Sequence, residues 1–319
     1  MSTPSASLAQ PPTAGERWMD LGLRRGAQAL AVGVLVLLAA IVVEIGAVAA
    51  PAVRERGVDF LTSSTWDTNR DEFGILPHIW GTLYSSLLAL LIGGTLGLAV
   101  AVFISQRFLP RRLELLLKNV VDLLAAIPSV VYGLWGIFFV IPAIRPFTAF
   151  LHEHLGFVPL FDERSPGPNM LASSLVLAIM VLPTMTAVSR DAIATVPRKL
   201  REAAFGLGAT RWECILGVVL PTAATGVFGA LVLAFGRALG ETMALAMLLG
   251  NRNEFNVSLL APGNTLAALI ANTFPEAQDH ERGVLMYAAI VLLSITLVVN
   301  MLGTAILVRS SRKAAGARP

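Results

Sequence analysis

The sequence has few residues from which a redox or metal centre could be built. Its 319 residues include one cysteine, Cys214, which excludes an internal disulfide and a metal site of paired cysteines. Of its four histidines, His152 and His154 share one segment with no third ligand nearby. We therefore expect no metal and no cofactor.

Charged residues are also scarce. They make up 14% of the chain, against about 25% in soluble domains, while hydrophobic residues make up 55%. The mean hydropathy is +0.71. Several apolar runs exceed the roughly 20 residues that cross a bilayer. This composition predicts an all-α integral membrane protein that lies in a lipid bilayer and binds no nucleic acid.

Six apolar runs predict six transmembrane helices. The first, at 27–50, follows a disordered, basic stretch at 1–26. An outer segment at 51–77 leads into a core at 78–308, and a short tail occupies 309–319. The five spans of the core are predicted at 78–106, 119–144, 169–189, 222–250 and 283–308.

The basic residues are unevenly divided between the connections. Most of the 24 lysines and arginines lie near the termini or in the connections 107–118 and 190–211. Basic loops mark the cytoplasmic side of a membrane protein. The distribution predicts that both termini are cytoplasmic and that 51–77 lies outside.

One arginine falls inside a predicted span. Arg237 lies ~22 Å along the fifth helix, where an unpaired arginine costs at least ~3 kcal/mol. Glu241 follows four residues later, so the two side chains are expected to share a helix face and pair. The pair is either a structural lock between helices or part of a substrate path. A planar guanidinium suits an oxyanion, and a carboxylate can accept a hydrogen bond from a protonated phosphate, whereas fully ionised sulfate has no proton to donate.

Three glycines and one proline shape the predicted second and third spans. Gly93, Gly94 and Gly97 allow close helix approach in the second. Pro128 interrupts the third, because proline lacks an N–H and clashes with the preceding turn. The break next to Ser129 either lines a cavity or is a packing kink.

The connection 190–220 contains a helix-prone stretch that Gly206 and Gly208 can end. These features alone are compatible with an ordinary connector. Its residues Glu202, Ala203 and Ala204, followed by Gly208 and by a Leu-Pro pair at 220–221, resemble the EAA motif of ABC importer permeases. The family usually has isoleucine two residues before the Leu-Pro pair, where this chain has valine.

This resemblance implies a type I ABC importer permease (MetI-like) fold with 78–308 as the permease core. It also implies that the connection forms a coupling helix, docked on an ATPase subunit through Glu202, Ala203, Ala204 and Gly208. The chain has no ATPase site of its own, because none of its three lysines follows a glycine as a P-loop requires. We therefore expect a transport subunit, not an enzyme, driven by a separate ATPase.

A narrower resemblance is found around the intramembrane charges. Residues 235–244 read FGRALGETMA and are similar to a GRA-x-GETMA segment of phosphate-specific ABC permeases. Residues 126–134 read AIPSVVYGL and resemble another segment of that family. The similarity covers about 55–308 and indicates a PstC-type rather than a PstA-type subunit. It implies a phosphate pathway through Arg237 and Glu241, with Ser129 and Thr242 as neighbouring candidates.

The resemblance implies partners as well: a PstA-like permease, a PstB-like ATPase dimer and a PstS-like binding protein that delivers inorganic phosphate. The expected location is the bacterial plasma (inner) membrane. Two alternatives stay open. One is a permease of the same class for sulfate or molybdate, and the other is an ion-coupled secondary transporter.

Overall fold

The computed structural model describes residues 14–68, 70–106, 108–163 and 166–316, and these residues are almost entirely helical. A two-stranded antiparallel hairpin, β1 (Trp66–Asp67) and β2 (Glu72–Phe73), lies between the first two long helices. The helices are α1 (Ala14–Arg56), α2 (Asp59–Thr62), α3 (Leu76–Ala89), α4 (Thr95–Ser105), α5 (Arg111–Ala126), α6 (Ser129–Trp135), α7 (Ile141–Leu155), α8 (Met170–Ala194), α9 (Arg198–Gly206), α10 (Arg211–Cys214), α11 (Leu220–Leu239), α12 (Met243–Leu248), α13 (Leu266–Thr273) and α14 (Asp279–Gly316).

Six helical stretches of the described residues are long and apolar enough to cross a membrane, as the sequence predicts. Three of them are continuous through π-helical turns at Leu90–Gly94, Gly136–Val140 and Ile215–Val219. The six stretches are Trp18–Arg56, Leu76–Ser105, Ser129–Leu155, Met170–Ala194, Arg211–Leu239 and Asp279–Arg309.

The first helix is longer than the predicted span at 27–50. It begins at Ala14, so the prediction of disorder over 1–26 is wrong from that residue onward. Residues 1–13 and 317–319, which belong to the predicted N-terminal stretch and tail, lie outside the described residues. Helix α1 packs along α14 at the edge of the bundle.

The third span begins ten residues later than the predicted 119–144. Helix α5 ends at Ala126, Ile127 is extended at φ −70° and ψ 127°, and the next helix begins at Ser129. The residue before a proline avoids the helical region, so the predicted break at Pro128 is confirmed and is complete. Helix α5 has 16 residues, fewer than are needed to cross a bilayer. Its charged residues recur every three or four positions, which makes it amphipathic.

The fifth span ends eleven residues before the predicted position 250. Helix α11 stops at Leu239, and three residues, Gly240, Glu241 and Thr242, separate it from the short helix α12. The prediction of an unbroken helix over 222–250 is therefore wrong. Gly240 and Thr242 within the run favour the break, because glycine and threonine are both less favourable in a helix interior than alanine or leucine.

Helix α8 is the centre of the core and contacts α3, α4, α11 and α12. Glycines let the second span approach it closely, as predicted. A Cβ placed on Gly93 would lie 2.3 Å from the carbonyl oxygen of Ala178, and one on Gly97 would lie 2.8 Å from Cβ of Met185. Any side chain at Gly93 would push α8 away from the second span.

Candidate functional site

The break between α11 and α12 places polar groups within an apolar sequence. The backbone N–H of Glu241 bonds to the carbonyl of Ala238 at 3.3 Å, and the regular ladder resumes when Ala246 bonds to Thr242 at 2.9 Å. The hydroxyl of Thr242 donates to the carbonyl of Gly240 at 3.2 Å. Irregular backbone within a membrane-spanning region occurs where it is buried in protein or lines a watery cavity.

The guanidinium of Arg237 lies one turn before this break. Its Nη1 donates to the hydroxyl oxygen of Thr184, on α8, at 3.4 Å. Arg237 is exposed on the surface of this chain, while Thr184 is half-buried. The contact joins the end of α11 to the middle of the central helix.

The predicted pairing of Arg237 with Glu241 is wrong. None of the ion pairs among the described residues joins them. A spacing of four residues aligns two side chains only while the helix continues, and α11 ends between them. The carboxylate of Glu241 instead accepts a hydrogen bond from the backbone N–H of Ala244 at 3.4 Å, in the first turn of α12.

Helices α6 and α12 lie side by side and run in the same direction. A Cβ on Gly133 would meet Sδ of Met247 at 2.7 Å, and one on Gly136 would meet the side chain of Leu248 at 2.6 Å. This register brings the start of α6, at Ser129, to about the level of the break that contains Glu241. The two helix breaks that the sequence placed in separate spans are therefore neighbours.

Two residues near Arg237 were not assigned a role from the sequence. Thr184 stands beside Pro183 in the fourth span, and a hydroxyl in an apolar run was the only signal for it. Asn300, on α14, lies against Gly236: a Cβ on that glycine would be 3.2 Å from the Asn300 side-chain oxygen. Thr184 reaches Arg237, and Asn300 reaches the adjacent Gly236, only because α8 and α14 pack against α11.

The predicted coupling segment forms helix α9, and Gly208 ends it. Ala209 N–H bonds to the carbonyl of Ala204 at 3.1 Å, and Gly208 N–H bonds to that of Phe205 at 3.0 Å, which is a Schellman motif. Gly208 has φ +84°, a conformation that costs other residues about 1–2 kcal/mol. The prediction that glycine terminates this helix is confirmed.

The EAA residues point in different directions from α9. Ala204 is buried and belongs to the main core cluster, while Glu202 and Ala203 are exposed. Leu207, at the end of the helix, is 91% exposed. An apolar residue so exposed, beside small Ala203, gives this helix a free surface on which another protein can pack.

Residues 93–314 match the family model described as a binding-protein-dependent transport system inner membrane component. The chain is also 40% identical, over 82% of its length and 82% of the relative's, to the phosphate transport system permease protein PstC of Xylella fastidiosa strain Temecula1. The chain belongs to the PstC family of ABC importer permeases.

Solved structures show the same fold. The chain resembles the permease of the inward-facing MetNI methionine ABC transporter with a TM-score of 0.54 and 18% identity, covering 74% of this chain and 95% of that one. It also resembles a chain of the bacterial alginate ABC transporter in complex with its alginate-bound periplasmic protein, with a TM-score of 0.61 and 17% identity, covering 90% and 95%. The predicted type I importer permease (MetI-like) fold is confirmed.

Membership of the PstC family decides between the classes left open by the sequence. The chain is a multi-pass permease subunit of an ABC transporter and is not itself catalytic. An ion-coupled secondary transporter is thereby excluded. The family match covers both α9 and the break after Arg237, so the candidate coupling helix and the candidate pathway lie within the same matched domain.

Proposed function

We propose that this chain forms one half of the translocation pathway of an ATP-driven phosphate importer in the bacterial plasma membrane, with both termini in the cytoplasm. The observation that carries the proposal is an exposed arginine, Arg237, on a membrane-spanning helix next to its break. PstC relatives named for phosphate transport support the choice of substrate.

The exposure of Arg237 restricts what can cover it. An arginine facing lipid costs at least ~3 kcal/mol, so the surface around it must meet water or another protein chain. A second permease half, PstA-like, would enclose a polar path against this surface. A forked, permanently charged guanidinium then offers two parallel N–H groups to a phosphate oxyanion.

The neighbouring polar groups take distinct roles in this proposal. Thr184 holds the guanidinium of Arg237 through its hydroxyl oxygen. Glu241, half-buried at the break, accepts a hydrogen bond from a protonated phosphate anion and repels sulfate, which has no proton to donate. Thr242 and Ser129, at the two adjacent helix breaks, line the same passage.

The outer loops are joined by ion pairs and hydrogen bonds and form the proposed docking surface for a phosphate-binding protein of the PstS type. Arg252 forms ion pairs with Glu163 and with Glu254, the latter at 2.6 Å, and so ties two outer loops together. The indole N–H of Trp80, at the start of the second span, donates to the carbonyl of Asn256 at 2.9 Å. A rigid surface next to the pathway suits the hand-over of a small anion.

Helix α9 is the proposed contact with a PstB-like ATPase dimer. Ala203 and the exposed end of the helix would enter the ATPase groove, while Ala204 transmits its movement to the core in which it is buried. Gly208 allows the sharp exit from the helix, and Glu202 lies beside the docking face.

Reconstitution of the complete complex in proteoliposomes tests the function. We expect ATP hydrolysis and uptake to rise with phosphate-loaded binding protein and to stay at the basal level with sulfate or molybdate. Stimulation by sulfate or molybdate alone would assign the chain to another oxyanion. Uptake by this chain without an ATPase would contradict the proposal altogether.

A further inference from the structure

A cavity of about 690 Å³ opens between α9 and the ends of the second and fourth spans. Neither Arg237 nor the helix break that follows it belongs to the lining of this cavity. Its size is in the range of small-molecule sites. Four arginines line it, against two glutamates, Glu114 and Glu202. The arginines are Arg190, Arg198, Arg201 and Arg211.

One stripe of α9 faces this cavity. Arg198, Arg201, Glu202 and Phe205 all line it, and their spacing of three, four and seven residues places them on one helix face. Lys199 and Ala203 are absent from the lining and exposed. Helix α9 therefore has a charged face toward the cavity and a separate face available to a partner.

Two donors in the cavity wall have no acceptor among the described residues. They are Nε of Arg201 and the side-chain nitrogen of Gln106, and both atoms are buried. Arg201 is held in place, because its Nη2 donates to the carbonyl of Ile193 at 2.9 Å. A buried donor without an acceptor is unfavourable, and an acceptor oxygen supplied by a ligand would relieve it.

Other residues in and next to the cavity wall are held by contacts of their own. Phe108 stacks on Trp212 with ring centroids 5.1 Å apart, and Thr210 and Glu213 form a capping box at the start of α10. Arg190 is paired with Asp191 at 3.0 Å. The guanidinium groups of Arg198 and Arg211 form no hydrogen bond or ion pair with another described residue, so both are available to a ligand.

We propose that this cavity is a second anion site, which binds a phosphoryl group through Arg198, Arg201 and Arg211. The forked donors match phosphoryl oxygens, and the two carboxylates lower the net positive charge of the site and can accept a hydrogen bond from a hydroxyl group of the ligand. The charge bias of the chain places the cavity on the cytoplasmic side. Two sources share this chemistry there: free inorganic phosphate and the headgroup of an anionic phospholipid.

Occupancy would affect the coupling helix. A bound phosphoryl group would bridge α9 to α10 and to Ile104, Ser105, Gln106 and Phe108, which form other walls of the cavity. Helix α9 would then move less freely relative to the spans. This site does not involve Arg237, so it stands whether or not Arg237 binds the transported anion.

Hydrogen exchange of the assembled complex in nanodiscs tests the site, with the amides of 194–215 as the readout. One arm uses neutral phosphatidylcholine nanodiscs with and without inorganic phosphate. The second uses nanodiscs containing phosphatidylglycerol and no phosphate. In at least one arm we expect exchange to slow about tenfold or more, as a charge-assisted hydrogen bond would produce.

The double variant Arg198→Gln, Arg211→Gln should lose this protection. Lys199→Gln should keep it, because it removes one charge from the adjacent position on the other face of α9. The Arg237→Gln complex should keep it as well, which separates this site from the transport pathway. No protection in either arm, or protection that survives the double variant, would overturn the proposal.

Discussion

Arg237 on α11 and Thr184 on α8 are joined by a hydrogen bond of 3.4 Å from Nη1 to the hydroxyl oxygen. The two residues are 53 positions apart in the chain. This contact orients a guanidinium on an exposed surface of a membrane-spanning helix, where lipid cannot solvate it. It also leaves most of the donors of Arg237 free for another acceptor, since a guanidinium carries five.

Arg237→Gln should abolish phosphate uptake, with a loss of about 100-fold or more, because glutamine carries neither the charge nor the fork. Arg237→Lys keeps the charge and should retain a small residual rate. Uptake by proteoliposomes measures both. Co-purification of the partner subunits is the control for assembly, and undiminished uptake by the glutamine variant would make Arg237 a structural residue.

Thr184→Val should lower the efficiency of phosphate uptake about 3- to 10-fold, the range expected for one hydrogen bond between side chains. The loss should appear mainly in the phosphate concentration needed for half-maximal uptake, because Arg237 remains present but is less well oriented. Thr184→Ser restores the hydroxyl and should restore uptake. Equal defects in the valine and serine variants would show that the packing of Thr184 matters rather than its hydroxyl.

Glu241→Gln should reduce the discrimination between phosphate and sulfate. The amide oxygen can still accept the bond from Ala244, so α12 should keep its start. The repulsion of a fully ionised anion is lost with the carboxylate charge. We expect sulfate to inhibit phosphate uptake in this variant and not in the unmodified complex; continued indifference to sulfate would contradict a selective role for Glu241.

Gly208→Ala should destabilise the end of α9 by about 1–2 kcal/mol, because alanine is strained at φ +84°. No atom lies within 4 Å of the added Cβ, so the effect is one of backbone conformation. Gly208→Asn should be milder, since asparagine tolerates this region better. The measurements are the thermal unfolding of the purified chain and the amount of ATPase that it retains.

Gly206→Ala is the matched control for that experiment. Gly206 is in the same helix, has open space around it and has an ordinary φ. Alanine there should stabilise α9 by roughly 0.5–1 kcal/mol. If both alanine variants unfold at the same temperature, the left-handed conformation of Gly208 is not what terminates the helix.

Gly93→Ala should lower stability by about 1–3 kcal/mol, the usual cost of overpacking. The added methyl would lie 2.3 Å from the carbonyl oxygen of Ala178, a backbone atom that can move only with α8. Gly217→Ala, where the new methyl meets nothing within 4 Å, should have little effect. Unfolding temperature in detergent compares the two, and similar values would argue against tight packing at Gly93.

The amino-acid sequence by itself determined the features that depend on neighbouring residues. Six apolar runs were enough to predict six spans, since the bilayer sets the required length. Pro128 predicted the break before Ser129, and Gly208 predicted the end of α9, because each acts on its own stretch of backbone. Motif similarity identified the family, which the comparisons confirm.

Only the tertiary structure decided which polar groups meet. The spacing of Arg237 and Glu241 predicted a pair, but α11 ends between them, and Arg237 bonds to Thr184 instead. Likewise, the arginines of α9 and α10 line one cavity with Gln106 because distant segments pack there. Such contacts depend on how helices pack across long stretches of chain, and local periodicity carries no information about that packing.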